Sequence, residues 1–212
     1  MVVGITTSKR SRLPAEERRA LIISAARTLF ARNGFHATGT HEIAAAAGCS
    51  EPIIYRHFAS KQALFGAALE DAAAQIRAHI ADLPVVEGES HFDAYIRCMR
   101  DLISDPLFVE VSRLRISAVA MADDPEIRAA LEHVSALHRE RTCAIVRAAK
   151  EDGSIRDDVD DAMVAMVLFG FALSSSYKLA VSGERSLAGF PAMLEAFVSL
   201  IRPHPAEEPA HA

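Results

Sequence analysis

The sequence predicts an all-α protein with a small N-terminal helical domain and a larger C-terminal one. Three observations carry this. Apolar residues recur at helical spacing from Leu21 to Ile201, and no stretch shows the strict alternation of a half-buried strand. Helix-stop and helix-start residues adjoin each other at Gly48 and Ser50, at Asp105 and Pro106, and at Asp124 and Pro125. With 212 residues, half of them apolar, one or two domains with a sizeable core can form.

Residues 1–13 have no apolar period and hold Lys9, Arg10 and Arg12, so they read as a flexible basic arm, either solvated or reaching a minor groove. From 14 to 33, Leu21, Ile22, Ala25, Ala26, Leu29 and Phe30 form one stripe of an amphipathic helix, with Arg18, Arg19 and Arg27 off it. A short helix starts at Gly39 or Thr40. Glu42 stands at its third position, where a carboxylate reaches back to the free amides of the first turn. Ile43, Ala44 and Ala47 give it a narrow face of mostly small residues, and Gly48 ends it. Ser50 caps the next helix, with Glu51 and Pro52 in the first turn. Ile54 and Phe58 face inward, so some of Ile53, Tyr55, Arg56 and His57 must face out. Ser60 then caps a long helix whose first residue is Lys61. A cation there opposes the helix dipole, which suggests an external anion.

Two short helices around a tight turn, followed by a long one, make a helix-turn-helix. The run resembles the DNA-binding signature of the TetR/AcrR family of bacterial transcriptional regulators. The resemblance rests on Phe30, Asn33-Gly34-Phe35, Ala37-Thr38, Ile43-Ala44, Ala47-Gly48, Ser50, Tyr55, Phe58, Ser60-Lys61 and Leu64-Phe65. It covers residues 18–65; beyond them only length and helical pattern agree. One departure is Gly39, where the family usually has Ser or Thr; glycine still caps, but a hydroxyl is lost. Charge distribution agrees with this reading. The net charge is −5, yet residues 1–65 hold nine Lys/Arg against four Asp/Glu, a local +5, and the remainder carries −10.

Six more helices are predicted, over 61–81, 91–104, 107–122, 125–152, 159–182 and 186–202, with 85–90 a loop and 203–212 a proline-rich flexible tail. The third of these has a stripe of Leu107, Val111, Leu114, Ala118 and Met121. Residues 162–173 are twelve consecutive apolar or glycine residues, too few to span a bilayer but apolar on every side. With the stripe Leu187, Phe190, Leu194, Phe197 and Ile201 on the last helix, they read as half of a four-helix homodimer interface, as the resemblance implies; a fully enclosed core helix in a monomer is the alternative.

Other chemistry is sparse. Cys49, Cys98 and Cys143 are scattered, as reduced thiols of a cytoplasmic protein would be, and His133 and His138 are five apart with nothing to complete a metal set. No phosphate loop, nucleophile elbow or paired-carboxylate arrangement is present, so the expectation is no enzyme, no catalytic residue, no cofactor, no metal and no membrane partner. The expected organisation is a helix-turn-helix domain at 14–60, an effector-binding and dimerisation domain at 61–202, and flexible termini at 1–13 and 203–212. By position-for-position transfer from the family, Thr40, Ser50, Tyr55, His57 and Lys61 would contact phosphates, and Glu51, Pro52, Ile53 and Arg56 would read bases. The implied function is a dimeric regulator on a palindromic double-stranded operator, a repressor relieved by a hydrophobic or aromatic small molecule, with activation as the alternative sign. Met99, Ile103, Phe108, Leu114, His138, Phe169 and Leu173 are the inward candidates for the effector pocket. Arg113, Arg115 and Arg141 are either anchors for an acidic group or arginines of the surface or dimer rim.

Overall fold

The structure is a computed structural model that describes residues 13–81, 86–102, 105–182 and 189–203, without the side chains of 176 and 179–182. Among the described residues there are nine helices and no strand. Helix α1 (Ala15–Asn33) follows Pro14, carries Glu16 and Glu17 in its first turn, and ends where the Gly34 amide returns to the Phe30 carbonyl at φ 79°. Helices α2 (Thr40–Ala46) and α3 (Glu51–His57) flank a turn in which Gly48 has φ 63°, a conformation that side chains with a Cβ seldom take. Glu42 accepts a 2.8 Å hydrogen bond from the Gly39 amide, as the sequence predicts. Ser60 Oγ accepts from the Ala63 amide and starts α4 (Lys61–Ala81). Then come α5 (His91–Leu102), α6 (Pro106–Ala120), α7 (Pro125–Glu151), α8 (Asp161–Ser182) and α9 (Phe190–Ile201). Asp105 accepts from the Leu107 amide, and Asp124 from those of Glu126 and Ile127, so both proline-led helices have carboxylate caps.

The interior has two apolar clusters. One joins Ile22, Ala26 and Phe30 of α1, Ile43 of α2, Ile54 of α3 and Leu64 and Phe65 of α4 to Leu114 of α6 and to Ile127 and Val134 of α7. The helix-turn-helix therefore shares a core with the C-terminal helices. The second cluster holds Phe92, Tyr95 and Met99 of α5 with Phe108, Val146, Val164, Leu168 and the buried side of α9. Ile76 of α4 packs against both. Helix α4 is thus the common wall, and it lies close to α7: a Cβ on Gly66 would come within 3.2 Å of the Ala130 Cβ. Ser60 also donates a 2.5 Å hydrogen bond to Glu126 at the start of α7. Arg27 of α1 stands 3.4 Å from both Asp71 of α4 and Glu110 of α6.

Two expectations change at the C-terminal end. Phe190, Leu194 and Ile201 are buried in the chain's own core, and Phe197 is half-buried with its ring 5.9 Å from Phe171. Their stripe closes this chain's interior, packing on the second cluster with Phe92, Val164 and Leu168. What α9 exposes is Met193 and Leu200, and α8 exposes Met163, Met166, Leu173 and Tyr177. Leu187, Ile103 and both expected flexible segments, apart from residues 13 and 203, lie outside the described residues. No helix among the described residues is long and apolar enough to cross a membrane.

Candidate functional site

Recognition chemistry gathers on the outer side of α2 and α3. Ile54 and Phe58 anchor α3 inward, and the opposite side presents Pro52, Tyr55 and Arg56 to solvent, with Tyr55 49% exposed. Ser50 takes the extended backbone of a cap residue, but its hydroxyl makes no capping bond, contrary to expectation; it stands exposed instead. Ile53 and His57 are half-buried beside this face.

Thr40 and Glu51 differ from their expected roles. The Thr40 residue is buried, its hydroxyl donates to the Glu51 carboxylate, and Tyr55 Oη lies 3.3 Å from the same hydroxyl. The group expected on a phosphate thus ties α2 to α3, and the carboxylate expected on cytosine is already engaged by it. Lys61 sits with Nζ 4.4 Å from the Phe35 ring centroid. Partial burial lowers its pKa and the nearby Glu42 carboxylate opposes that. A ring face therefore supports the ammonium from within, while the dipole argument leaves room for an anion outside. Arg18, to which the sequence assigned no role, donates to the carbonyls of Ala47 (3.0 Å) and Gly48 (3.3 Å) and fixes α1 on the turn. A cation off the apolar stripe, three residues before Leu21, was the available signal.

The C-terminal helices hold a second site. A small cavity of about 30 Å³ lies among α4, α5, α6 and α7, where Arg115, His138, Arg141, Tyr95 and Thr142 meet Ile76 and Val134. A groove of about 370 Å³ adjoins it, sharing Ile80, Tyr95 and Arg141 and otherwise walled by Ala81, His91, Ala94, Ala144, Ile145 and Ala148. Of the seven residues predicted to line a pocket, His138 lines this cavity, and Phe169 backs it with its ring 4.9 Å from His138 and 5.5 Å from the Arg115 guanidinium carbon. Met99 and Phe108 are consumed by the second core and Leu114 by the first, while Leu173 is exposed on α8. Periodicity finds the inward side of a helix but cannot separate core from cavity wall. Arg115 and Arg141 line the interior cavity, which goes against reading them as surface or rim arginines.

Burial, and secondarily the positive Arg115, pull His138 down to a pKa of about 4 from the ordinary 6.5. Its folded value lies below its unfolded one, so the stability it contributes is complete above pH 6.5 and is lost as pH falls towards 4. Between pH 7 and pH 5 the wild type should lose about 2 kcal/mol more than His138→Gln, measured by urea unfolding. Equal losses would show that His138 titrates normally in the fold.

Comparison with known proteins agrees with this arrangement. Residues 22–68 match the family described as "Bacterial regulatory proteins, tetR family". The transcriptional activator FasR of Mycolicibacterium smegmatis is 47% identical over 60 residues, which are 28% of this chain and 27% of FasR, so the likeness spans about a quarter of that protein. The transcriptional regulator UidR of Escherichia coli K12 is 29% identical over 155 residues, 73% of this chain and 77% of UidR. The crystal structure of a TetR-family transcriptional regulator from Cytophaga hutchinsonii matches with a TM-score of 0.76 at 16% identity, covering 92% of this chain and all of that one, a likeness of fold.

Proposed function

Because this chain belongs to the TetR family of bacterial transcriptional regulators, DNA-binding proteins rather than enzymes, we propose that it binds a palindromic operator as a homodimer and is released by a small molecule. The division of labour is residues 14–60 for DNA and 61–202 for effector and partner, in the cytoplasm. One observation carries the reading: an exposed polar side of α3 stands next to Lys61, the first residue of the helix that runs through both cores.

Ser50, Tyr55, His57 and Lys61 fix the backbone register, while Pro52, Ile53 and Arg56 approach base edges, with Arg56 suited to guanine and Ile53 to a thymine methyl. Thr40 supports this surface indirectly, by holding Glu51 and Tyr55. Lys61→Ala should weaken binding to all duplexes alike and lower the salt slope by about one unit per site; an unchanged slope would remove Lys61 from the contact set.

Effector binding between α4 and α7 would move α4. Ser60, the residue before α4, is tied to Glu126 of α7, so a shift of α4 against α7 changes the separation of the two recognition helices. A duplex accepts that separation only near a helical turn or its multiples. The effector must bind the two states with different affinity, since equal affinity shifts nothing. The groove favours a hydrophobic or aromatic body, its walls being largely Ala and Ile. Repression is the proposed sign: removing the protein should raise transcription from its target. Selection of genomic fragments by the purified protein tests the whole reading. Enrichment of a palindrome supports it; recovery of no fragment above background contradicts it.

A further inference from the structure

The interior cavity contains positive charge that no ion pair among the described residues balances. Arg115 of α6 is half-buried and lines the cavity; burial alone lowers its pKa to about 10. Arg141 lines the same cavity from α7, with Nε buried and without a hydrogen-bond partner. Neither arginine forms an ion pair among the described residues, and the cavity wall contains no Asp or Glu. Nε2 of His138 is also buried and without a hydrogen-bond partner. The fully buried Tyr95 has only the Thr142 hydroxyl beside its own, and that hydroxyl donates to the His138 carbonyl.

An arginine does not escape burial by losing its proton in the physiological range, so an unpaired guanidinium in an interior is costly unless an anion joins it. Phe169 covers the ring-facing side of Arg115, which leaves the edge of the guanidinium for hydrogen bonding. The inner cavity, about 30 Å³, has room for about two water-sized atoms, such as the two oxygens of a carboxylate whose carbon stands at its mouth, and the adjoining groove has the size and apolar lining of a site for the rest of a small molecule. Planar carboxylates suit arginine edges through two parallel hydrogen bonds.

We propose that the effector is an amphipathic carboxylate: its acid group enters the inner cavity between Arg115 and Arg141, and its apolar body lies in the groove between α4, α5 and α7. This rests on reading the C-terminal helices as the effector domain and specifies what that domain recognises. Tyr95 and His138 complete the acid site as hydrogen-bonding groups, and Ile80 marks the passage between the two compartments. Because Arg115 and Arg141 come from α6 and α7, bridging them fastens together two helices that also pack on α4.

The test is thermal unfolding of the full chain with a series of aliphatic and aryl carboxylates, each beside its uncharged primary amide. At about 100 times its dissociation constant a ligand adds about 2.7 kcal/mol, a readily measured rise in Tm. Carboxylates should raise Tm and their amides should not. Arg115→Met and Arg141→Met should each abolish that response while leaving the unliganded Tm unchanged or higher, since an unbalanced charge has been removed. A series in which no carboxylate raises Tm, in which amides act equally, or in which both variants keep the response, overturns the proposal. So does an unliganded Tm that falls in both variants, because it would make the arginines structural. Release of a selected DNA fragment is measured in parallel. Carboxylates that bind without releasing DNA would leave the acid site standing and refute ligand relief; release by amides alone would do the reverse.

Discussion

Replacing Phe65 by alanine is expected to lower the unfolding free energy by about 3–5 kcal/mol, the range for deleting a fully buried aromatic ring. Its ring lies 5.1 Å from Phe30 and 5.4 Å from Phe35, both edge-on, and none of it is exposed. Phe35 in turn carries Lys61 on its face. The substitution therefore removes packing where α1, the α1–α2 turn and α4 meet. DNA affinity should fall with stability, because Lys61 loses its support. Chemical unfolding measures the first effect; a loss under 1 kcal/mol would mean that the aromatic cluster relaxes to fill the space.

The second large effect concerns the partner surface. Met163, Met166, Leu173 and Tyr177 are exposed at helical spacing along α8, over about 21 Å of its length, and Met193 and Leu200 are exposed on α9. The double variant Met166→Glu with Leu200→Glu should give monomers, since each glutamate would be buried unpaired in the joined interface. Operator affinity should then drop by about 10²–10⁴-fold as bivalent engagement is lost. Phe171 and Phe197 are poorer targets. Their rings pack on each other and Phe171 meets Phe190 edge-on at 5.8 Å, so charges there would damage the protomer itself. Light scattering that finds the double variant still dimeric would move the interface elsewhere.

How far the sequence could be read depended on how local the physics was. Caps, the Gly48 turn and the stripes of α1, α6 and α7 are decided within a few residues, and their helices appear within two or three positions of expectation. Helix α9 starts later, at Phe190 after a left-handed Gly189, with Pro191 in its first turn. For Thr40, transfer by position says where a hydroxyl is, while its partner Glu51 is set by how α2 crosses α3. The cavity was the hardest to see. His138, Arg141, Thr142 and Ile145 follow Val134 at intervals that keep them on one side of α7, so two basic residues interrupt an apolar stripe. That interruption was legible, but its meaning needed Arg115 from α6 to arrive opposite.

The most direct measurement is the affinity of the purified protein for a selected genomic duplex, by fluorescence anisotropy, at low and at moderate salt. Phosphate contacts made by the basic N-terminal segment, residues 1–65, release counterions, so affinity should fall by about 10²-fold or more between roughly 50 and 200 mM salt, and more gently for Lys61→Ala. Binding that ignores salt, or no binding at either concentration, would contradict the assignment of α2, α3 and Lys61 as a DNA-reading surface.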